Sequence, residues 1–210
     1  MPRLAWPDLR NARDVGGART ADGGRIRQRA LVRTDNHRRL GAAGLAALRA
    51  YGVSRVLDLR WRAEAEADPS PLAADPRYRL VPACFDPTGD EDIPPDSYRL
   101  LVDASRDRLA AAFTAIAQAP PGAVVVHCHG GRDRTGVLVA LALHVAGVPV
   151  DAIAADYALT EGAPASMITN TWVHLHGRYG GVTDYLLGSG VTPAQISAVR
   201  ARLTEGSPAR

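Results

Sequence analysis

Cys128 and Arg134 stand with five residues between them in the stretch VVVHCHGGRDRTG, residues 124–136. A thiolate is the reactive form of cysteine, and an electropositive setting at a helix start can bring a thiol's pKa down to roughly 3.5–7.5. A guanidinium offers a planar fork of donors that fits two oxygens of a phosphate. The pair reads as a nucleophile beneath a phosphoryl group. What surrounds it agrees. Three valines make a buried strand, Gly130 and Gly131 break it, and the residues after Thr135, VLVALALHVAG, form an apolar helix. Strand, glycine loop and helix start together aim successive N–H groups and the positive end of a helix dipole at an anion. His127 is expected to orient the loop by hydrogen bonds and to help lower the pKa of Cys128. Thr135 can hydrogen-bond the thiolate, which matters when sulfur is the leaving group. His129, Gly130, Gly131, Arg132, Thr135 and Gly136 complete the candidate substrate-binding set, with His129 and Arg132 adding positive charge.

Such a loop needs a scaffold, and the rest of the chain supplies one. Val53–Leu59 alternates and then turns apolar, a strand that delivers Asp58 and Arg60 at its exit. These two read first as an ion pair bracing the loop beneath the sheet, and second as substrate contacts. Ala30–Arg33 and Tyr78–Ala83 are further strands. Helices are expected at Gly41–Tyr51, Trp61–Ala67, Ser97–Gln118 and Pro149–Leu159. In the third of these, Tyr98, Leu101, Val102, Ser105, Leu109, Ala112, Phe113 and Ile116 share a face. Thr192-Pro193-Ala194-Gln195 is a capping box with proline at the first helical position, and opens a last helix through Leu203. Residues 161–180 read as helix or ordered loop, and Cys84–Pro95 as an acidic, proline-rich rim. Asn11 and Asp14 look like turn-formers, while Asp156 and Tyr157 should brace the signature helix. Strands separated by helices predict an α/β fold, a mostly parallel sheet with helices on both faces, in a single domain spanning 1–210. Ligands in such sheets sit at the C-terminal strand ends, where Cys128 and Asp58 both lie.

Composition narrows the function. Nearly half of the residues are apolar, which excludes a disordered chain. All 25 basic residues are arginine, but the net charge is only +3 and the arginines are dispersed, so no nucleic-acid stripe is indicated. Cys84 and Cys128 make no disulfide framework. Cys84 reads as a small buried residue, or more sharply as a redox partner shielding Cys128. The N-terminus shows no apolar signal core, and the uncharged run Thr135–Val150 is shorter than the roughly 18–20 residues of a membrane span. A cytoplasmic protein without an integral membrane segment is expected. His174 and His176 lack a third ligand at useful spacing, so neither metal nor cofactor is expected.

With these residues in place, the chain resembles the cysteine-dependent protein tyrosine phosphatase superfamily. More narrowly, it is similar to bacterial tyrosine/lipid phosphatases whose signature runs HCxxGKDRTG. NARDVGGARTADGGRIRQRALVRT, LDLRWRAE and IAADYALT match other elements of that group. The departures are Ala12 for an aromatic residue, Thr34 for serine, and Arg132 for the usual lysine. The resemblance implies a dual-specificity type of phosphatase fold and a two-step, metal-independent reaction. Cys128 takes the phosphoryl group, Arg134 and the loop amides stabilise it, and water hydrolyses the phosphocysteine. It also implies that Asp133 is the general acid. Asp96 is the alternative, 32 residues before Cys128, where dual-specificity phosphatases often carry theirs. Asp86 and Asp92 share its loop. Trp6-Pro7-Asp8 copies a known acid-loop motif but comes too early in the chain. The substrates implied are phosphoproteins (on tyrosine, serine or threonine) or phosphoinositides. Rival readings are an inactive phosphate-binding module, and a sulfur-transfer or arsenate-reducing enzyme using the same loop.

Overall fold

The computed structural model describes residues 3–84 and 96–205. Its central strand is β5, Ala123–His127, buried at all five positions. Branched apolar residues on both sides of a strand suit one that is covered on both faces. Parallel neighbours flank it: β2, Leu31–Thr34, on one side and β3, Val53–Asp58, on the other. Beyond β3 lies β4, Tyr78–Leu80, also parallel, while the two-residue β1, Arg13–Asp14, closes the β2 edge in the antiparallel sense. The order is β1-β2-β5-β3-β4. His127 pairs with Thr34 and with Asp58, so three strands end level and the loop after β5 emerges at their C-terminal edge.

The period-two alternation of the strands divides the core. Leu31, Leu57, Val124 and Val126 join one apolar cluster; Val32, Val56, Ala123 and Val125 join another. The second is completed by Trp6, Leu72 and Leu48 of α1, Ala42–Ala50. The first takes in α3 (Arg99–Ala104), α4 (Arg106–Ala117), α5 (Asp133–Val145), α6 (Val150–Tyr157), α7 (Ser166–Tyr179), α8 (Val182–Gly188) and α9 (Pro193–Leu203). Helix α5 is buried almost all round, as its apolar sequence requires. Helix α2, Arg62–Ala67, buries no residue. The fold is α/β with a mostly parallel sheet covered on both faces, as the sequence predicts.

Several boundaries differ from expectation. The helix expected over 97–118 is two helices, broken at Ser105, where the backbone sits at φ −121°, ψ 28°. At that break the Val102 carbonyl accepts the buried Tyr185 hydroxyl at 2.7 Å. All eight residues of the predicted face are nonetheless buried, so the kink does not rotate the helix off the core. Strand β4 stops at Leu80, short of Ala83, although the N–H groups of Val81 and Ala83 still reach the Asp58 and Leu59 carbonyls at 2.8 and 3.3 Å. Residues 161–180, ambiguous in sequence, hold α7, which ends at Gly180 in the left-handed region. Helix α8 was not foreseen. The capping box of α9 forms as predicted, Thr192 and Gln195 exchanging bonds of 2.8 and 3.2 Å. Most of the acidic rim loop, with Asp86 and Asp92, lies outside the described residues. Among those described, no helix is long and apolar enough to cross a membrane.

A charged knot ties these layers together. Asp156 of α6 meets Arg33 of β2 at 3.0 Å and Arg13 of β1 at 3.4 Å, and all three are buried. Arg13 also reaches the Asp156 carbonyl at 3.2 Å and the Thr160 hydroxyl at 2.9 Å. Removing one partner of a buried ion pair leaves an uncompensated charge, at a cost of about 3–5 kcal/mol. Asp156→Asn should therefore lower the urea midpoint by that free energy with an unchanged denaturant slope. A loss below about 1 kcal/mol would show that the knot contributes little.

Candidate active site

Gly131 shapes the loop between β5 and α5. Its φ of +67° is open to glycine, and a Cβ there would come within 2.4 Å of the Thr34 carbonyl oxygen. The loop is held by its carbonyls. Arg33 donates to the Gly131 carbonyl at 2.9 Å, the Asn11 side-chain amide donates to Gly131 at 3.2 Å and Gly130 at 3.4 Å, and the Asn36 N–H donates to His129 at 3.0 Å. Across a trans peptide plane the next N–H points opposite to the carbonyl. Turning three carbonyls towards the scaffold thus turns the amides of Gly130, Gly131 and Arg132 away from it. Helix α5 adds its N-terminus.

This loop floors a cavity of about 1740 Å³ lined by Cys128, His129, Gly130, Arg132, Asp133 and Arg134. Residues 3–5 and 9–11 form one wall and residues 158–164 another. Cys128 is almost wholly buried. Arg134 presents its fork to Glu64 of α2, with Nη2 to Oε1 at 3.0 Å and Nη1 bonded to Oε2, and its guanidinium lies 4.9 Å above the Trp61 ring. Although burial works the other way, the bonds to Glu64 and the nearby Cys128 sulfur hold Arg134 above its ordinary pKa. Glu64 also accepts from the Trp61 N–H at 2.9 Å, capping α2. Sequence reading did not single out Glu64 as a site residue. The signal was present in LDLRWRAE, whose last residue it is.

Asp133 accepts from the Tyr98 hydroxyl at 2.5 Å and from Arg132 Nε at 3.0 Å, and it lines the cavity. Asp96 does neither. It is exposed, paired with Arg99 at 3.0 Å, and absent from the lining. Asp58 and Arg60 are buried and off the cavity. Arg60 grips both oxygens of Asp58 at 2.7–3.0 Å, and Tyr78 adds a bond of 2.6 Å. Asp58 Oδ2 stands 3.7 Å from Nε2 of His127, the last residue of β5. Asn11 proves to hold the loop as well as turn the chain. Asp8 of the early motif caps the Gly41 N–H at 3.1 Å, away from the cavity.

Two expected roles are not seen. Thr135 Oγ1 is buried without a hydrogen-bond partner among the described residues, so it does not bond the Cys128 sulfur. His127 does contact the loop, through Nδ1 to the Cys128 carbonyl at 3.2 Å. It is fully buried, however, and burial holds its pKa below 6.5, so it contributes no positive charge towards Cys128. Cys84 is buried and free, its sulfur accepting from Trp61 Nε1 at 2.8 Å. Burial pushes its thiol up. No group of three or more metal-ligating side chains occurs among the described residues.

The model of the tyrosine phosphatase family matches residues 4–166. A tyrosine-protein phosphatase of Nostoc commune is 30% identical, covering 83% of this chain and 74% of that protein. A putative tyrosine-protein phosphatase of Cupriavidus necator is 31% identical over 73% of this chain and 61% of its own length. The triple specificity protein phosphatase PtpB of Mycobacterium tuberculosis is 26% identical, covering 95% of this chain and 81% of that protein.

Beneath the loop, the rings of His127 and His37 stack 4.0 Å apart, both fully buried. Burial holds each pKa below 6.5; for His37 the neighbouring His127 and Arg60 add to it, whereas Asp58 opposes it at His127. With the folded values depressed, the unfolded chain takes up protons first as pH falls. The stability from these neutral rings is therefore complete above 6.5 and lost below it, by about 1.4 kcal/mol per unit of depression. The urea midpoint should fall between about pH 7.5 and about pH 5.5, above the range in which ordinary carboxylates titrate. The fall should be smaller in His37→Gln. An equal fall in both proteins would assign it to other groups.

Proposed function

Since the chain belongs to the tyrosine phosphatase family, we propose that it hydrolyses phosphomonoesters through a phosphocysteine, with phosphotyrosine in proteins as the first substrate class. One observation carries this reading: a buried sulfur, loop amides turned away from the scaffold and an arginine fork come together at one cavity. The Cys128 thiolate attacks phosphorus while the bond to the leaving oxygen breaks. Asp133 gives that oxygen a proton. Water then attacks the phosphocysteine, its proton passing to the Asp133 carboxylate, and sulfur leaves. The amides of the loop and Arg134 bind the equatorial oxygens through both steps. Glu64 takes one hydrogen from each terminal nitrogen of Arg134. Nε and the two remaining terminal hydrogens stay available to the phosphoryl group. The place of Asp133 on the cavity wall supports it as the acid over Asp96.

A second reading, phosphoinositide hydrolysis, draws on the basic residues of the cavity lining, Arg3, Arg10, His129 and Arg132. Each further phosphate of an inositol head group needs its own cation, and the cavity has room for such a group. An inactive phosphate-binding module would have no use for the sulfur and carboxyl that flank the anion site. Sulfur transfer and arsenate reduction gain no particular support from these walls.

Cys128→Ser should lose about 10³-fold or more of the turnover of p-nitrophenyl phosphate, because the covalent path is gone. It should still bind inorganic phosphate in a calorimeter. Activity above a few per cent would rule out the sulfur as nucleophile. Arg134→Lys should weaken every substrate by about 10²–10³-fold, since a point charge cannot replace two parallel bonds.

Arg132→Ala separates the two substrate readings. Measured as kcat/KM on a phosphotyrosine peptide and a multiply phosphorylated inositol lipid, it should reduce the lipid about tenfold more, the equivalent of one charge-assisted bond. Equal losses would remove Arg132 from substrate selection.

A further inference from the structure

Two buried tyrosines lie behind the loop, and neither is used by the mechanism above. Tyr98, at the head of α3, is wholly buried, and its backbone N–H is fixed by the Thr171 hydroxyl at 2.8 Å. Its own hydroxyl donates to Asp133 Oδ1 at 2.5 Å. Having one hydrogen, it must then accept the short bond it shares with the Tyr157 hydroxyl. The rings meet edge to face, with centroids 6.1 Å apart at 85°. Tyr157 comes from the end of α6, and its ring fills the space left by Gly136, where a Cβ would lie 2.7 Å from it.

Core packing alone does not account for this pair. Two phenylalanines would fill the same volume with no polar group to satisfy, and a buried hydroxyl without a partner is costly. The hydroxyls run in series, from Tyr157 to Tyr98 to one oxygen of Asp133. Arg132 Nε bonds that same oxygen at 3.0 Å. Two donors from different directions fix the plane of the carboxyl group. They also leave Oδ2 without a hydrogen bond among the described residues. Burial, and then the charge of Asp133, keep the Tyr98 hydroxyl protonated well beyond its ordinary range, so it remains a donor. The other charges facing the pair are Arg33, 6.0 Å from the Tyr157 ring, and its partner Asp156.

We propose that Tyr98, supported by Tyr157, is a positioning residue for Asp133, holding Oδ1 so that Oδ2 carries the proton delivered to the leaving oxygen. This rests on the reading of Asp133 as the general acid. Without the Tyr98 hydroxyl the carboxyl swings about the single remaining Arg132 bond. Proton delivery then becomes less efficient, while the sulfur, the amides and Arg134 are untouched.

The experiment compares phenyl phosphate, whose leaving oxygen needs the proton, with p-nitrophenyl phosphate, whose leaving oxygen does not. Tyr98→Phe should lose roughly tenfold in kcat/KM, which reports the leaving-group step alone, on phenyl phosphate, part of the range that general acid catalysis supplies. It should change less than about twofold on p-nitrophenyl phosphate, with inhibition by inorganic phosphate unaltered. Tyr157→Phe should show the same selectivity more weakly. Asp133→Asn is the reference and should show it most strongly. If Asp133→Asn is selective and Tyr98→Phe is not, the positioning role is wrong and the acid assignment stands. If Asp133→Asn is itself unselective, the acid assignment falls and the positioning role with it. Equal loss on both substrates in Tyr98→Phe, or weaker phosphate inhibition, would make the tyrosine merely structural and overturn the proposal. Should Tyr98→Phe fail to give a cooperative melt, Tyr157→Phe decides: selective loss upholds the proposal, and none overturns it.

Discussion

The bond from Arg33 to the Gly131 carbonyl is the contact on which the rest of the site depends. Arg33 belongs to β2, next to the central strand, so its position is set by the sheet register. Its guanidinium is buried with Asp156 at 3.0 Å, and that pairing makes a charge tolerable at this depth. The same guanidinium turns a loop carbonyl inward, towards the scaffold, at 2.9 Å. Asn11 and Asn36 do likewise for its neighbours. An anion cradle needs amides that point one way, and a peptide plane can offer its amide only if its carbonyl is satisfied behind it. The sheet thus makes the cradle from the back.

What was legible in the sequence was what neighbours along the chain decide. Val124–Val126 showed a buried strand because three branched apolar residues fit little else. Thr192 and Gln195 showed a helix start because a capping box is closed within four residues. The signature loop carried its own strand, glycines and helix. Glu64 and Tyr98 were missed as site residues because their partners, Arg134 and Asp133, lie 70 and 35 residues away. No periodicity reports on a bond of that separation. The break at Ser105 was invisible for the same reason: it coincides with a hydroxyl arriving from Tyr185, 83 residues on from Val102. Thr135 failed differently. Its type suited a bond to sulfur, but a side chain's type does not fix its direction.

The departures from the family signature bear on the same geometry, and Arg132 most of all. A lysine there has one nitrogen, so any anion it meets while paired with Asp133 must lie within reach of that same atom. Arginine divides the work. Arg132 gives Nε to Asp133 at 3.0 Å and still has two terminal nitrogens. One of these passes 3.4 Å from where a Cβ of Gly162 would stand, on the far wall of the cavity. Gly162 itself sits at φ +69°, a backbone conformation suited to glycine. An arginine can therefore hold the carboxyl and meet an anion in the cavity together. A lysine must do both from one nitrogen. By this argument the substitution does not weaken the loop's charge. It separates two tasks that a single ammonium group would have to share.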